Sequence, residues 1–243
     1  MSQRRPVVGG HLLWLHDGRW HNDFPPPERA LVDPNGLLAI GGDLEPQTLE
    51  RAYRVGIFPW YSQGEPVLWW SPDPRAVLDP RGVRISRSLR RVLRQRRFRI
   101  TMDCAFEAVL HGCARPRPGS HGTWITPDMH VAYMRLHRCG LAHSVESWEG
   151  DELVGGLYGV AIGRVFFGES MFMRRPDASK AALAVLAQQL DRWNYRLIDC
   201  QQSSAHLASM GAVDIPRNEF LTLLQHLVAQ TGQVAPWHVD DDL

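Results

Sequence analysis

Three groups of side chains in this 243-residue chain are of a type and spacing that could do chemistry. The first is the run Tyr195-Arg-Leu-Ile-Asp-Cys-Gln. Read as a strand, its period of two places Leu197, Asp199 and Gln201 on one face and Ile198 and Cys200 on the other. A carboxylate and an amide side by side behind two apolar residues are costly to bury without partners. Either Asp199 is paired to one of the many arginines, or Asp199 and Gln201 form a hydrogen-bonding pair that positions a nucleophile. Cys200 is a weaker nucleophile candidate, because it points to the opposite face and no Cys-His-Asn pattern accompanies it.

The second group is Val165-Phe-Phe-Gly-Glu-Ser-Met-Phe, which sets one acid, Glu169, among large apolar side chains. Glu169 is either exposed at a strand end or a negative charge inside an apolar cleft, suited to a cationic or amine-bearing substrate. Gly168 is a candidate bulge, so strict alternation does not say which of Phe166, Met171 and Phe172 share a face.

The third group is basic. Formal charge is only +1, from 27 basic and 26 acidic residues, but eight arginines and no acid fall between Arg84 and Arg99. Elsewhere 19 basic residues face 26 acidic ones, a balance of −7. Ile85, Leu89, Val92 and Leu93 recur at helical spacing and predict a helix over 87–96. Arg87, Arg90, Arg91, Arg94 and Arg97 then occupy the complementary face. That stripe is either a solvated face with counter-charges from elsewhere in the fold or a docking site for a nucleic-acid backbone, since guanidinium grips phosphate bidentately. A net charge near zero favours a local site over general coating of nucleic acid.

Other chemistries lack their motifs. The eleven histidines form no HxxxH or HExxH pair, so no metal centre is expected, and neither a P-loop nor a Rossmann glycine pattern occurs. Four cysteines at 104, 113, 139 and 200 include no CxxC pair, which fits reduced thiols in a cytosol. No run of 18 apolar residues exists and the N-terminus lacks an apolar signal-peptide core, so a soluble cytoplasmic protein is expected.

The first 80 residues are rich in turns (Phe24-Pro-Pro-Pro, Asp33-Pro-Asn-Gly, Gly41-Gly-Asp, Ser71-Pro-Asp-Pro) around one short helix over 47–55 ended by Gly56. This predicts a small irregular domain over 1–75, with the Asp73-Pro-Arg-Ala-Val-Leu segment leading into a second domain over 76–243. There, a strand near 98–102 and a short helix over 106–112 precede a Gly/Pro/Arg loop ending at Gly122. Thr126 then caps a helix that Pro127 opens and Gly140 closes. Strands over 141–148, 153–162 and 165–170 form an antiparallel meander. Asp177 caps a helix with Leu183, Leu186, Ala187, Leu190 and Trp193 on one face, and the strand 195–201 follows. The pattern predicts an α+β fold with a mixed sheet. Only the terminal Val239-Asp-Asp-Asp-Leu reads as loose.

Several long runs carry a resemblance. Asp33-Pro-Asn-Gly-Leu-Leu-Ala-Ile-Gly-Gly-Asp-Leu, Gly56-Ile-Phe-Pro-Trp-Tyr and Leu68-Trp-Trp-Ser-Pro-Asp-Pro-Arg-Ala-Val-Leu resemble the bacterial leucyl/phenylalanyl-tRNA–protein transferase family. So do Gly122-Thr-Trp-Ile-Thr, Ala142-His-Ser-Val-Glu, Glu152-Leu-Val-Gly-Gly-Leu-Tyr-Gly-Val, Phe167-Gly-Glu-Ser-Met-Phe and Leu197-Ile-Asp-Cys-Gln. They are ordered and spread over residues 24–220. The resemblance implies transfer of Leu or Phe, less readily Met, from Leu-tRNA or Phe-tRNA to the α-amino group of proteins beginning with Arg or Lys. Those proteins are thereby marked for N-end rule degradation. It also implies a small N-terminal α/β domain, a GNAT-like acyltransferase domain, no metal or nucleotide cofactor, and neither membrane nor DNA as partner. By the same resemblance Trp60, Trp124, Phe166 and Met171 line an aminoacyl-adenosine pocket, in which Leu157 stands where Met is usual. Glu169, Asp199 and Gln201 match the catalytic region, and the arginine helix matches the tRNA contact.

Two rivals remain distinct. An acetyl-CoA-dependent acetyltransferase needs a [QR]xxGx[GA] loop for pyrophosphate, but the comparable run Arg174-Arg-Pro-Asp-Ala-Ser-Lys puts Asp177 where glycine belongs. A non-enzymatic RNA-binding module explains the arginines but leaves Glu169, Asp199 and Gln201 without a purpose.

Overall fold

The structure is a computed structural model and describes residues 13–15, 24–115 and 123–243. Most of the expected Gly/Pro/Arg loop up to Gly122 lies outside them. In the turn-rich first part, β1 (Leu13–Leu15), β2 (Leu37–Gly41), α1 (Pro46–Arg54), β3 (Phe58–Pro59) and β4 (Leu68–Trp70) follow one another. The four strands form a small sheet ordered β1-β2-β4-β3. Pro46 opens α1, and Gly56, at φ +76°, stands just past its end.

A larger sheet begins at Arg75. The succession is β5 (Arg75–Leu78), α2 (Arg87–Arg94), β6 (Arg99–Met102), α3 (Phe106–Ala114), α4 (Pro127–Arg138), β7 (Ala142–Glu149), β8 (Glu152–Ile162) and β9 (Val165–Met173). Then come α5 (Ala178–Arg192), β10 (Leu197–Gln201), α6 (Ala205–Ser209), β11 (Val213–Ile215) and α7 (Arg217–Val228). The sheet runs β11-β5-β10-β9-β8-β7-β6. The meander β7-β8-β9 is antiparallel, whereas β10 lies parallel to β9. A parallel neighbour needs a crossover connection, and α5 supplies it. This is an α+β fold with a mixed sheet.

Two apolar clusters form. In one, α1, α3 and α4 contribute Tyr53, Val109 and Tyr133, together with the small sheet. In the other, α2 and α5 contribute Leu89, Leu183 and Leu186, together with Trp237 from the C-terminal segment.

Local expectations are corrected in four places. The arginine helix stops at Arg94 rather than 96: Gln95 is its C-cap and Arg96 turns left-handed at φ 45°, so Arg97 lies beyond it. Asp177 does occupy the N-cap of α5, yet at φ 69° its side chain makes no capping bond. That helix is buried over nearly its whole circumference from Ala178 to Leu190. The C-terminal residues are held: Trp237 is fully buried and stacks on His143 with ring centroids 3.7 Å apart, while Arg192 pairs with Asp240 and Asp242.

Candidate active site

The parallel ladder between β9 and β10 is short. Leu197, Ile198 and Asp199 pair with Val165, Phe166 and Phe167, and the ladder ends there. Both strands then bulge. Against β8, Gly159 pairs with Gly168 and Tyr158 with Ser170, which leaves Glu169 as the extra residue of β9. Against β5, Asp199 pairs with Val77 and Gln201 with Ala76, which leaves Cys200 as the extra residue of β10. Bulges bend a strand and re-aim its side chains, so two on neighbouring strands part them at one point. Gly159 permits the first: a Cβ there would meet the Phe167 carbonyl oxygen at 2.2 Å.

A cleft of about 860 Å³ opens where the strands part. Leu157, Phe166, Met171, Leu183 and Ile198 form its apolar wall, Trp60 and Trp124 also line it, and Glu169 and Gln201 face it. Seven of the eight residues expected to catalyse or to bind the aminoacyl group therefore meet in one cavity, and Asp199 is the exception.

Gln201 reaches the cleft because the expected alternation fails. The bulge and a left-handed backbone at φ 58° place it beside Ile198 and Cys200 rather than on the face of Asp199. Left-handed backbone at a glutamine is strained and persists only where its surroundings hold it. Asp199 does the holding. Its side chain is fully buried, Oδ1 accepts the Gln201 amide N–H at 3.0 Å, and the two oxygens accept Nε and Nη2 of Arg75 at 2.8 and 2.7 Å. Arg75 also donates to the Gly56 carbonyl at 3.0 Å and lies between the rings of Phe58 and Phe220. Asp199 is thus the partner of an arginine and the anchor of Gln201 at once, and it does not line the cleft. Cys200 does, but burial raises its thiol pKa far above the ordinary range and keeps it protonated.

Glu169 is the acid of the site. Oε1 accepts Tyr53 Oη at 2.8 Å and Gln201 Nε2 at 3.1 Å, and Oε2 accepts Tyr133 Oη at 2.6 Å. The two phenol oxygens also stand 2.8 Å apart. Three short oxygen contacts need three protons, and two phenols supply two. With Glu169 protonated, Oε2 donates to Tyr133, Tyr133 donates to Tyr53 and Tyr53 donates to Oε1, which completes the ring. Desolvation raises the Glu169 pKa to about 7, the two phenol bonds oppose that rise, and the Asp199 charge adds to it. Burial also raises both tyrosines well above 10, so they stay donors. Because Gln201 gives its amide nitrogen to Glu169, its carbonyl oxygen is the end left for a ligand.

Tyr53, Tyr133 and Arg75 complete the site and were not foreseen. The tyrosines sit on α1 and α4, 80 residues apart in sequence, and nothing local marks them. Arg75 carried one signal, a charge opening the apolar run Ala-Val-Leu. On α2, Arg87, Arg90, Arg91 and Arg94 are exposed and make no ion pair among the described residues. Arg97 pairs with Glu149 at 3.5 Å.

Two family models match parts of the chain. Residues 77–225 match the family described as leucyl/phenylalanyl-tRNA protein transferase, and residues 42–73 match that family's N-terminal domain. The leucyl/phenylalanyl-tRNA--protein transferase of Methylococcus capsulatus is 61% identical over 214 residues, which is 88% of this chain and 91% of that one. That of Nitrosomonas eutropha is 58% identical over 217 residues, 89% and 93% of the two chains. A solved GCN5-related N-acetyltransferase from Kribbella flavida superposes with a TM-score of 0.36 at 11% identity over 65% of this chain and 56% of that one, too distant to carry an argument. With matches to both family domains and identities near 60% over most of its length, the chain belongs to the leucyl/phenylalanyl-tRNA–protein transferase family.

Proposed function

We propose that this aminoacyltransferase moves Leu or Phe, and less readily Met, from aminoacyl-tRNA to the α-amino group of proteins beginning with Arg or Lys. The product is marked for N-end rule degradation in the cytoplasm, and the second domain works as a GNAT-like acyl-transfer domain. The observation that carries the reading is the juxtaposition of an apolar wall with Glu169 and Gln201 in one cleft. The wall accepts an unbranched-at-Cβ side chain, and the polar pair meets the amine.

The chemistry needs no external energy source, because an aminoacyl ester is already activated. The neutral amine attacks the ester carbonyl, the C–N bond forms, the ester C–O bond breaks, and the tRNA hydroxyl leaves with a proton. An α-amine of pKa 7.7–8.0 is about a quarter to two-fifths neutral at pH 7.5. Positioning can therefore supply much of the rate, on the order of 7–11 kcal/mol of barrier. In this reading the Gln201 carbonyl oxygen orients the amine, and Glu169 accepts its proton near neutral pH. Asp199 and Arg75 are positioning residues behind Gln201. Trp60 and Trp124 offer ring faces to the terminal adenosine, and Leu157, Phe166 and Met171 receive the side chain. Wall side chains such as Met adapt their shape, and a methylene is worth only about 1–3 kcal/mol, so discrimination among Leu, Phe and Met is graded.

The first test is turnover. With labelled Phe-tRNA or Leu-tRNA, an Arg-initiated peptide and an Ala-initiated peptide, and neither ATP nor acetyl-CoA, label is expected to move to the Arg peptide alone. Tight tRNA binding without transfer would instead make this an RNA-binding protein.

The arginines of α2 carry the tRNA part of the reading. Their exposure and the absence of ion pairs to them among the described residues support backbone contact. Changing Arg87, Arg91 and Arg94 together to Ala is expected to flatten the salt dependence of tRNA binding. The slope of log K against log salt should fall by about 2–3, at roughly 0.7–0.9 per lost phosphate contact. An unchanged slope would remove α2 from the interface.

A further inference from the structure

Glu107 and His111 stand one turn apart on α3, and His130 lies opposite them on α4. One ring nitrogen from each histidine and one Glu107 carboxylate oxygen lie within 4.8 Å of one another. The two imidazoles stack at 4.7 Å with their planes 29° apart. Nε2 of His130 is buried and has no hydrogen-bond partner among the described residues. The aminoacyl-transfer reaction uses none of these three side chains, and the cleft does not include them.

We propose that Glu107, His111 and His130 form a binding site for a divalent transition-metal ion of the zinc class, distinct from the transfer cleft. Two imidazoles and one carboxylate are a ligand set that Zn²⁺ accepts, with water in the fourth position. Bonds of about 2.0–2.1 Å place neighbouring ligand atoms roughly 3.3 Å apart in a tetrahedron. The three atoms must close by about 1.5 Å from their present limit. Glu107 and His111 are exposed, so side-chain rotation can supply this without moving either helix. A bound ion would give the orphaned nitrogen a partner and tie α3 to α4. No HxxxH pattern announces the site because its histidines come from different helices, the i, i+4 pair being a glutamate and a histidine.

The ion would act on the scaffold of the cleft rather than on the reaction. Gly112 and Cys113 of α3 line the cleft, and α4 carries Tyr133, which holds Glu169. The test uses the full-length, untagged protein with Zn²⁺ alone, followed by calorimetry and thermal melting, and Co²⁺ as a spectroscopic substitute. One saturable site per chain is expected. At a hundredfold excess over Kd the melting temperature should rise by about 5–10 °C, and Co²⁺ should give the intense visible absorption of a tetrahedral site. Glu107→Gln and His111→Ala both change exposed residues and preserve the fold. Each is expected to weaken binding at least tenfold while leaving transfer without added metal at the wild-type rate. If the ion binds both variants as it binds the wild type, or no saturable site appears, the proposal is overturned.

Discussion

Glu169→Gln is expected to slow transfer to an Arg-initiated peptide by about 10²–10⁴-fold, the range for loss of a positioned general base. Gln keeps the bonds: its oxygen can accept Tyr53 and Gln201, and its nitrogen can donate to Tyr133, as a protonated carboxyl would. Only the ionisation is removed. Below pH 7, wild-type kcat/KM should climb with a log slope approaching two, because Glu169, with a pKa of about 7, and the acceptor amine must both lose a proton. The variant should keep the single slope of the amine. A loss of tenfold or less with the slope still near two would reduce Glu169 to an orienting role.

The same group gives stability a pH dependence of known sign. Its pKa is about 7 folded and near the ordinary 4.5 unfolded. Below 4.5 both states are protonated and its contribution is complete. Between 4.5 and 7 the folded state binds more protons, so stability falls as pH rises, and above 7 the loss is constant. Glu169→Gln should therefore melt higher, relative to wild type, at pH 8 than at pH 4.5.

The second large effect concerns the buried pair behind Gln201. Asp199→Asn leaves the fully buried Arg75 guanidinium without its carboxylate. Removing one partner of such a pair costs about 3–5 kcal/mol. For a chain of this size that lowers the melting temperature by roughly 6–20 °C. The double variant Arg75→Met/Asp199→Leu removes both charges and should recover most of that loss, since apolar replacements of buried ion pairs are often neutral or better. Transfer should not recover. The Gln201 amide loses its acceptor in the double variant, its left-handed backbone is no longer held, and displacement of about 1 Å at a reacting group costs on the order of 10²-fold. Melting curves and transfer rates at saturating tRNA separate the two roles. Wild-type rates in Asp199→Asn, measured below its melting range, would confine Asp199 to stability.

Much of the architecture was legible because its signals are local. Thr126 caps α4 by accepting the Met129 amide, Pro127 opens that helix, and Gly140 turns left-handed just after it. The alternating meander with turns at Gly150 and Gly163, and the stripe of Leu89, Val92 and Leu93, rest equally on near neighbours. Where a distant partner decides, local residue types carry no signal. Arg192 gathers Asp240 and Asp242 from 48 and 50 residues away, so the apparently loose tail is held. The C-terminal end of α2 and the cap of α5 turn on left-handed residues, Arg96 and Asp177, whose types do not demand that conformation.

The candidate site divides along the same line. Residue type and spacing alone determined that Glu169 is an acid in an apolar run, that Asp199 and Gln201 are polar groups on a strand, and that the arginines gather on one helix. Those properties reside in a few consecutive residues and survive any arrangement of the rest. Only the tertiary structure decided that Asp199 turns from the cleft to Arg75, that a bulge carries Gln201 the other way, and that Tyr53 and Tyr133 converge on Glu169. It did so because hydrogen-bond geometry and desolvation depend on which groups the fold brings within about 3 Å, and these partners are separated by 36 to 124 residues of chain.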